Sequence, residues 1–296
     1  MKKKLIFKGV GTALITPFKN GKLDTDAVES LIEEQIEAGV GAVIVGGTTG
    51  EASTLTEGER QELYTLARNI TRGRIPLVLG TGANDTATAL RYTRLAQELR
   101  ADGALIVTPY YNRGTEEGIF LHYKTIAESC SIPIILYNVP SRTGVNISIE
   151  NLTRLATYEN IVGIKEASGS LARLMEISAL GDKLPLYAGN DSELYSVLSL
   201  GGVGGISVVS NPLPRLTAEL YRSYSRGDRE RSLSIQRAML PFISALFAET
   251  NPSPVKYVMG LRGRCTGEIR LPLTPPTEEL SSRLRTEYEK ILALKP

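Results

Sequence analysis

Histidine and cysteine are scarce in this chain of 296 residues, which holds one histidine, His122, and two cysteines, Cys130 and Cys265. A lone histidine cannot build the usual multi-histidine zinc site, and a Ser-His-Asp triad would depend on this one residue of a predicted helix. The cysteines lie far apart and have no metal-binding or redox spacing. We therefore expect free thiols in a reducing compartment, the cytoplasm, and a chemistry that needs no metal.

Excess charge and long apolar runs are also lacking. With 34 Lys and Arg against 32 Asp and Glu, the net charge of +2 does not indicate a nucleic acid or an anionic membrane as a partner. No segment approaches the roughly 18 apolar residues of a membrane span. Three lysines at residues 2–4 could open a signal peptide, but the short apolar run over residues 9–18 lacks a small-residue cleavage site. We interpret that run as a first strand.

Short apolar runs recur at even spacing and predict β-strands, with segments of helical periodicity between them. The predicted strands cover residues 11–15, 42–45, 77–80, 104–107, 134–137, 162–165, 186–188 and 204–207. The helices between and after them are predicted over residues 27–40, 56–70, 85–99, 115–129, 148–157, 170–180, 193–200 and 214–225. Eight strand-then-helix units are typical of an α/β protein with a parallel (β/α)₈ TIM barrel. A doubly wound open sheet is the alternative, but no Gly-x-Gly-x-x-Gly follows the first strand.

The strand pattern stops after residue 225. Helices are predicted over residues 229–247, 254–261 and 277–294, with a proline-rich connection at residues 271–276. We expect a catalytic barrel over residues 1–225 and a C-terminal helical domain over residues 226–296. This second domain would cover one end of the barrel or mediate assembly.

Lys165 stands near the C-terminal end of the sixth predicted strand, among apolar neighbours. Strand alternation places Ile161, Gly163 and Lys165 on one face and Val162 on the opposite face. Burial disfavours the charged form of a lysine, and a neutral amine attacks a ketone to give a Schiff base. The alternative is an ordinary lysine at a strand end, whose ammonium group extends to solvent or forms a salt bridge.

Other polar side chains follow the C-terminal ends of strands, where barrel enzymes carry their chemistry. Thr48 and Thr49, in a glycine-flanked turn, offer hydroxyls and backbone N–H groups to a carboxylate, or else cap a helix. The hydroxyl of Tyr137 could pass protons, although a packed core tyrosine is the alternative. Arg142 could hold a carboxylate with two hydrogen bonds, or form a surface salt bridge. The glycines of residues 201–205 could bind phosphate, but we favour close backbone packing there.

Three stretches together resemble a known family. They are Gly-Thr-Thr-Gly-Glu at residues 47–51, Tyr-Asn-Val-Pro-Ser-Arg-Thr-Gly at residues 137–144 and Val-Gly-Ile-Lys-Glu-Ala at residues 162–167. They are similar to the dihydrodipicolinate synthase/N-acetylneuraminate lyase family of pyruvate-dependent class I aldolases. The resemblance covers essentially the whole chain and implies a (β/α)₈ barrel with a C-terminal helical domain. Arg142 favours the synthase branch, which condenses pyruvate with L-aspartate 4-semialdehyde in diaminopimelate and lysine biosynthesis.

The resemblance also implies roles for individual residues. Lys165 would form the Schiff base with pyruvate, so that no cofactor is needed. Thr48, Tyr137 and Tyr111 would form a proton relay, with Tyr111 reaching in from a partner subunit of a homotetramer built as a dimer of dimers.

The substrates are implied to bind nearby. Thr49 and the backbone near Gly189 and Ile206 would surround pyruvate. Arg142 would hold the carboxylate of the semialdehyde.

The chain departs from the family at its effector cleft. Asn84 and Tyr110 match the residues that bind the inhibitor lysine in feedback-inhibited members, but Thr88 stands where those members have an acidic residue. Glu57 and Arg60 occupy positions that are often histidine. Because the effector ammonium would lose its charge partner, we expect weak or absent inhibition by lysine.

Three other functions are compatible with parts of the pattern. One is an aldolase of the same chemistry that acts on a 2-keto-3-deoxy sugar acid or a sialic acid. Another is a binding or regulatory protein that retains the barrel fold. A third and weaker alternative is a barrel that binds a phosphate ligand.

Overall fold

The computed structural model describes residues 2–293 and contains a closed barrel of eight parallel strands. In chain order the barrel strands are Gly9–Ala13 (β1), Ala42–Val45 (β2), Leu77–Gly80 (β3), Gly103–Val107 (β4), Ile134–Asn138 (β5), Ile161–Glu166 (β6), Leu186–Ala188 (β7) and Gly204–Ser207 (β8). Each strand pairs with the next one along the chain, and β8 pairs with β1 to close the barrel. The predicted (β/α)₈ fold is confirmed.

Helices connect the strands and surround the barrel. They are Thr25–Ala38 (α1), Glu57–Thr71 (α2), Thr86–Glu98 (α3), Glu116–Ser129 (α4), Pro140–Thr143 (α5), Ile149–Leu155 (α6), Leu171–Ser178 (α7), Leu194–Ser199 (α8) and Pro214–Ser225 (α9). Polar caps begin most of them; Thr56, for example, forms a capping box with Glu59 at the start of α2. None of the helices in residues 2–293 is long and apolar enough to cross a membrane.

The first strand lies two residues earlier than predicted, at Gly9–Ala13 instead of residues 11–15. Gly9 pairs with Gly204, and a Cβ built on Gly204 would come within 1.9 Å of the Gly9 carbonyl oxygen. Only glycines allow the two backbones to approach so closely. The start of β1 is therefore determined by its partner strand, which the apolar pattern of the first run does not reveal.

A short hairpin and a single-turn helix are among the small elements that were not predicted. Phe18–Lys19 pairs with Lys22–Leu23 in a short hairpin, whose turn residues Asn20 and Gly21 have positive φ angles. An Asn-Gly turn of this kind is a recognised hairpin signal. The single-turn helix α5 was also missed, and it follows directly on β5.

Buried apolar side chains form two clusters, one inside the barrel and one between the strands and the helices. Val162 belongs to the inner cluster and Ile161 to the outer one, so the predicted faces of these two residues are wrong. The cause is a register shift between Ile134 and Ile135, where β6 carries one extra residue. Past the shift, Gly163 and Lys165 lie opposite Ile135 and Tyr137, as alternation predicts.

Three helices follow the barrel: Arg229–Leu246 (α10), Ser253–Leu261 (α11) and Glu278–Ala293 (α12). Helix α10 packs against α9, α11 and α12. The predicted last helix extends to Leu294, which lies outside the described residues, as do Met1 and the last two residues of the expected C-terminal domain. The segment between α10 and α11 contacts the turn after β2 and helix α5, and so lies at the C-terminal end of the barrel.

Candidate active site

Lys165 and Tyr137 are register partners on β6 and β5. The lysine Nζ lies 4.1 Å from the centre of the tyrosine ring, and both side chains are buried, with 5% of Lys165 exposed. Within residues 2–293, no carboxylate lies within 4.0 Å of this amine. The alternative of a salt-bridged lysine at a strand end is therefore wrong. Among the described residues the amine is thus not held in an ion pair, and it stays available to form a covalent bond with a ketone.

A cavity of about 240 Å³ opens at the C-terminal ends of β2 to β5. Its lining includes Thr48, Tyr110, Tyr137 and Arg142. The structure thus brings four of the predicted site residues, from the ends of β2, β4 and β5, around one space. This space suits a ligand smaller than a typical drug molecule.

Thr48 and Thr49 lie in the turn that follows β2. The turn is held by hydrogen bonds from Gly50 N to Gly47 O and from the Thr16 hydroxyl to Gly50 O, at 3.1 and 2.7 Å. Thr48 faces the cavity, and the buried Thr49 hydroxyl accepts a hydrogen bond from Asn251 Nδ2 at 2.9 Å. Neither threonine caps a helix, because the N-cap of α2 is Thr56.

A buried ion pair lies directly after this turn. Glu51 has a left-handed backbone conformation, with φ +52°, and its carboxylate pairs with Lys256 of α11. Both side chains are 1% exposed. The other carboxylate oxygen accepts the backbone N–H of Arg270 at 3.1 Å, and Lys256 Nζ lies 4.3 Å from the ring centre of Phe18. The threonine turn is therefore anchored to the C-terminal helices by a charge pair that water cannot reach.

Arg142 lies on α5 at the edge of the cavity. Its Nη2 donates to the backbone carbonyl of Asn251 at 3.2 Å. No carboxylate among the residues that the structure describes comes within 4.0 Å of its guanidinium. The surface salt bridge considered as the alternative is therefore not formed, and the guanidinium keeps donors for a ligand.

Behind the site, the buried carboxylate of Glu166 connects β6 to the end of β5 and to helix α7. Glu166 accepts hydrogen bonds from Asn138 Nδ2 at 2.9 Å, from Ser168 N at 2.8 Å and from Arg173 Nε at 2.9 Å. Asn138 Oδ1 in turn accepts the backbone N–H of Ile147 at 3.1 Å. These bonds fix the ends of β5 and β6 relative to each other, and with them Tyr137 and Lys165.

Gly189 and Ile206 come from the last two barrel strands. Gly189 follows β7 and donates its N–H to Glu166 O at 2.7 Å; a Cβ there would come within 2.6 Å of that oxygen, so that only glycine fits. Ile206 lies on β8, inside the barrel with Tyr137. Neither residue lines the cavity near Thr48, and their contact with pyruvate stays a prediction.

Comparisons with known proteins agree with this geometry. The model of the dihydrodipicolinate synthetase family matches residues 6–291. The chain belongs to the dihydrodipicolinate synthetase family. The resemblance inferred from the three sequence stretches is thereby confirmed.

Members of the dihydrodipicolinate synthetase family match over nearly the full length of the chain. A 4-hydroxy-tetrahydrodipicolinate synthase of Alkaliphilus oremlandii is 47% identical over 286 residues, which cover 96% of this chain and 99% of that protein. The synthase of Clostridium novyi is 46% identical, with 96% of each chain covered. The crystal structure of dihydrodipicolinate synthase from Thermotoga maritima superposes with a TM-score of 0.95 at 43% identity, covering 98% of this chain and 100% of that one.

Tyr111, the third member of the relay expected from the family, lies apart from the cavity. It has φ +73° and an exposed fraction of 86%, and it does not line the space around Tyr137 and Thr48. A single chain therefore does not assemble all three hydroxyls. Its arrival from a partner subunit stays a prediction.

Of the residues expected in the effector cleft, Tyr110 lines the cavity near Thr48. Asn84 is exposed, and Thr88 lies in the first turn of α3, where its backbone N–H donates to Asp85 Oδ1 at 2.8 Å. Burial raises the pKa of Tyr110, and the positive charge of Arg60 opposes this rise, as expected of a nearby cation. Arg60 is buried and stacks on Tyr92, 4.3 Å from its ring centre.

Sequence reasoning missed the contribution of the C-terminal helices to the site. Asn251 and Lys256 lie about 200 residues from the threonine turn that they contact, as their pairings with Thr49 and Glu51 show. One signal was present: Glu51 belongs to the Gly-Thr-Thr-Gly-Glu stretch, and an acidic residue in a buried turn needs a cationic partner. The identity of that partner could not be read from the chain.

Three of the four glycines in residues 201–205 pack closely against neighbouring elements: Gly202, Gly204 and Gly205. A Cβ on Gly202 would lie 2.4 Å from the side chain of Val197, and Gly204 lies against the backbone of Gly9. The preferred interpretation, close packing and not a phosphate site, agrees with these contacts.

Proposed function

We propose that this protein is a 4-hydroxy-tetrahydrodipicolinate synthase, which condenses pyruvate with L-aspartate 4-semialdehyde through a Schiff base on Lys165. The observation that carries the proposal is the buried amine of Lys165, which lies 4.1 Å from the ring centre of Tyr137, a residue that lines the cavity, and has no carboxylate within 4.0 Å among residues 2–293. The sequence identity of 44–47% to proteins of that name supports the same activity.

The reaction starts at the lysine amine. Its neutral nitrogen attacks the C2 ketone of pyruvate, and loss of water gives an iminium cation. The positive nitrogen draws electrons from the adjacent methyl group, which loses a proton and leaves an enamine. In this mechanism the iminium is the electron sink, and Tyr137 carries protons between the successive steps.

The enamine carbon then attacks the aldehyde carbon of the second substrate, which forms the new C–C bond and regenerates the iminium. Arg142 holds the carboxylate of this substrate, and Thr48 supports the tyrosine hydroxyl. The amino group of the second substrate attacks the iminium carbon, closes the ring and expels Lys165 as a free amine. Thr49 and the backbone of Gly189 and Ile206 hold the pyruvate part.

The proposal extends to the assembly and organisation of the chain. We place Tyr111 in the active site of a partner subunit, because the exposed side chain lies outside its own cavity. A homotetramer in the cytoplasm, built as a dimer of dimers, is the assembly that this arrangement favours. Residues 1–225 form the catalytic barrel and residues 226–296 the helical domain in this proposal; its support is that only helices follow β8 within the described range.

Borohydride trapping tests the chemistry. The protein is incubated with pyruvate and borohydride, and its peptides are then mapped by mass spectrometry. We expect one reduced pyruvate adduct, on Lys165, and none in Lys165→Ala. Turnover of pyruvate with aspartate semialdehyde, compared with sugar acids, then identifies the acceptor. An adduct on another lysine, or trapping without turnover of the semialdehyde, would contradict the proposal.

A further inference from the structure

Six formally charged side chains are buried among residues 2–293. They are Glu51, Arg60, Lys165, Glu166, Asp191 and Lys256. The carboxylates of Glu51 and Glu166 form the two ion pairs described above. The third carboxylate, that of Asp191, has no Lys or Arg nitrogen within 4.0 Å in the part of the chain that the structure describes. A buried carboxylate without a direct cationic partner is costly, so other features of its surroundings must favour its charge.

Asp191 lies at the same end of the barrel as Lys165. It follows β7, the strand next to β6, and Gly189 just before it is hydrogen-bonded at 2.7 Å to the carbonyl of the residue after Lys165. The Oδ2 atom of Asp191 accepts the backbone N–H groups of Val208 and Val209, directly after β8, at 2.9 and 3.0 Å. Two donors on one oxygen favour the ionised carboxyl group and fix its position at the rim.

Lys165 is the cation that acts on this carboxylate. Burial raises the pKa of Asp191, whereas its hydrogen bonds and the positive charge of Lys165 oppose this rise. Arg60, a further buried cation with no carboxylate within 4.0 Å among residues 2–293, instead donates hydrogen bonds to the Ala52 carbonyl and the Tyr64 hydroxyl. The two buried charges of opposite sign at the barrel rim therefore interact across more than 4.0 Å.

The other groups around Lys165 supply no free negative charge. Its two neighbours in the sheet are Tyr137 on β5 and Tyr187 on β7, which contribute phenol groups and no carboxylate. Glu166, on the same strand, is engaged in its ion pair. The half-buried Glu193 carboxylate, in the segment after β7, is bonded at 2.9 Å to the side chain of the residue at position 190. The third buried carboxylate is thus the available counter-charge.

We propose that the carboxylate of Asp191 is the counter-charge of Lys165, and that it stabilises the iminium cation that pyruvate forms on this lysine. This inference rests on the proposed function. Formation of the iminium from a neutral amine and a ketone takes up one proton and releases one water, so that a positive charge appears at the lysine nitrogen. A fixed negative charge lowers the energy of this cation in a buried site, where water screens it little.

The separation of more than 4.0 Å suits this role. A carboxylate in direct contact would hold the amine in its protonated form and occupy the nitrogen that must attack the ketone. A charge at longer range stabilises the cation and leaves the nitrogen accessible. Asp191 therefore acts on the reaction through Lys165, by its charge.

The experiment compares the wild type with Asp191→Asn and with Glu193→Gln. Asn removes the charge and keeps the shape, and its oxygen can accept the same two backbone N–H groups, because both bonds end on one oxygen of Asp191. Glu193→Gln removes a half-buried carboxylate two residues away and is the matched control. For each protein the rate of adduct formation at subsaturating pyruvate, with cyanoborohydride as the trap, is measured against pH, and the adduct is mapped to Lys165.

The wild-type rate rises with pH as the amine loses its proton. In Asp191→Asn we expect the midpoint of this rise to move to lower pH by about 1 unit, because the protonated amine loses its counter-charge. At a pH above both midpoints we expect the pyruvate concentration for half-maximal adduct formation to rise about tenfold, since the iminium loses the same stabilisation. Glu193→Gln should change neither value.

A stability cycle tests the same pair without the reaction. Lys165→Met leaves the Asp191 carboxylate buried without its cation, so adding Asp191→Asn should restore part of the lost unfolding free energy. Urea unfolding measures this. The double variant is informative even where Asp191→Asn alone fails to fold, because both charges are absent from it.

Three results would overturn the inference. They are an unchanged midpoint in folded Asp191→Asn, an equal shift in Glu193→Gln, and a double variant no more stable than Lys165→Met. A wild type that forms no pyruvate adduct on Lys165 would instead refute the proposed function, and the role of Asp191 in the iminium with it. The two failures are distinguishable, because the stability cycle still shows whether the two charges are coupled.

Discussion

Tyr137 and Lys165 are register partners across β5 and β6, so that the lysine amine lies over the face of the tyrosine ring at 4.1 Å. The ring faces the amine through its π-electrons, and Tyr137 also lines the cavity. The ring therefore packs against Lys165, whereas the hydroxyl would transfer protons. A substitution that removes only the hydroxyl can separate these two roles.

Tyr137→Phe keeps the ring against Lys165 and removes only the hydroxyl. We expect kcat to fall about 10²- to 10⁴-fold, as for the loss of a general acid–base group, while the thermal midpoint changes little. Steady-state kinetics and calorimetry on the same preparations check this. A variant with near-normal kcat would show that another group carries the protons.

Arg142→Ala is expected to spare the borohydride adduct with pyruvate and to raise KM for aspartate semialdehyde about 10- to 100-fold, since a charge-assisted contact is lost. The exposed Arg215 of α9, substituted by alanine in the same way, serves as the matched control. Equal loss of trapping and condensation in Arg142→Ala would contradict the assigned role.

The buried Glu51–Lys256 pair predicts a non-additive loss of stability. Lys256→Met leaves the Glu51 carboxylate buried without a cation and should cost roughly 3–5 kcal/mol of unfolding free energy. Adding Glu51→Gln removes the stranded charge, so the double variant should be more stable than Lys256→Met alone. Urea unfolding of the four proteins in the cycle measures the coupling. A double variant as unstable as the sum of both single losses would show that the pair is not coupled.

His122 predicts a pH dependence of stability. Burial lowers the pKa of this histidine from 6.5 to about 4, and its Nδ1 is hydrogen-bonded to the Thr86 hydroxyl at 3.0 Å. Between these pH values the unfolded chain binds a proton that the native protein does not, so the unfolding free energy falls as the pH drops from 6.5 towards 4. The loss amounts to about 3 kcal/mol for the full interval.

The control for His122 is His122→Asn, which does not titrate and should show a flatter pH dependence. The two proteins are compared above pH 4.5. Below that value a second group contributes: the hydrogen bond to Arg270 lowers the pKa of Glu59 from 4.5 to about 2. Protonation of Glu59 in this more acidic range therefore adds its own loss of stability. Chemical denaturation at pH 7.0, 6.0 and 5.0 gives the slopes. Parallel slopes in the two proteins would refute the assignment.

Lysine is expected to inhibit weakly or not at all. Thr88 supplies no negative charge for the effector ammonium, and the buried guanidinium of Arg60, which has no carboxylate within 4.0 Å among residues 2–293, adds a positive charge near Tyr110. Titration of the steady-state rate with lysine measures this. Strong inhibition at sub-millimolar lysine would contradict it.

The alternation of apolar strands and amphipathic helices was sufficient to predict the barrel. Seven of the eight strands lie within one residue of their predicted bounds, and the exception, β1, begins where Gly9 meets Gly204. The faces of Ile161 and Val162 were mispredicted for a related reason: the register shift beside Ile134 is a property of the strand pair, and a single strand contains no sign of it.

The residues of the candidate site also divide into those that the sequence made identifiable and those that it did not. Residues at or shortly after the C-terminal ends of barrel strands, such as Thr48, Arg142 and Lys165, were identifiable because a parallel barrel brings these strand ends to one rim, whatever the lengths of the connections. Asn251 and Lys256 were not identifiable, because their role depends on how the helices after the barrel fold back on that rim.

The amino-acid sequence alone therefore determined the barrel and placed Lys165 and its neighbouring site candidates at the strand ends, since strand period and strand order are local properties of the chain. Only the tertiary structure decided which distant groups neutralise Glu51, hold Thr49 and contact Arg142. Burial of a charge or an amide requires a partner in three dimensions, and the linear sequence does not specify where that partner comes from.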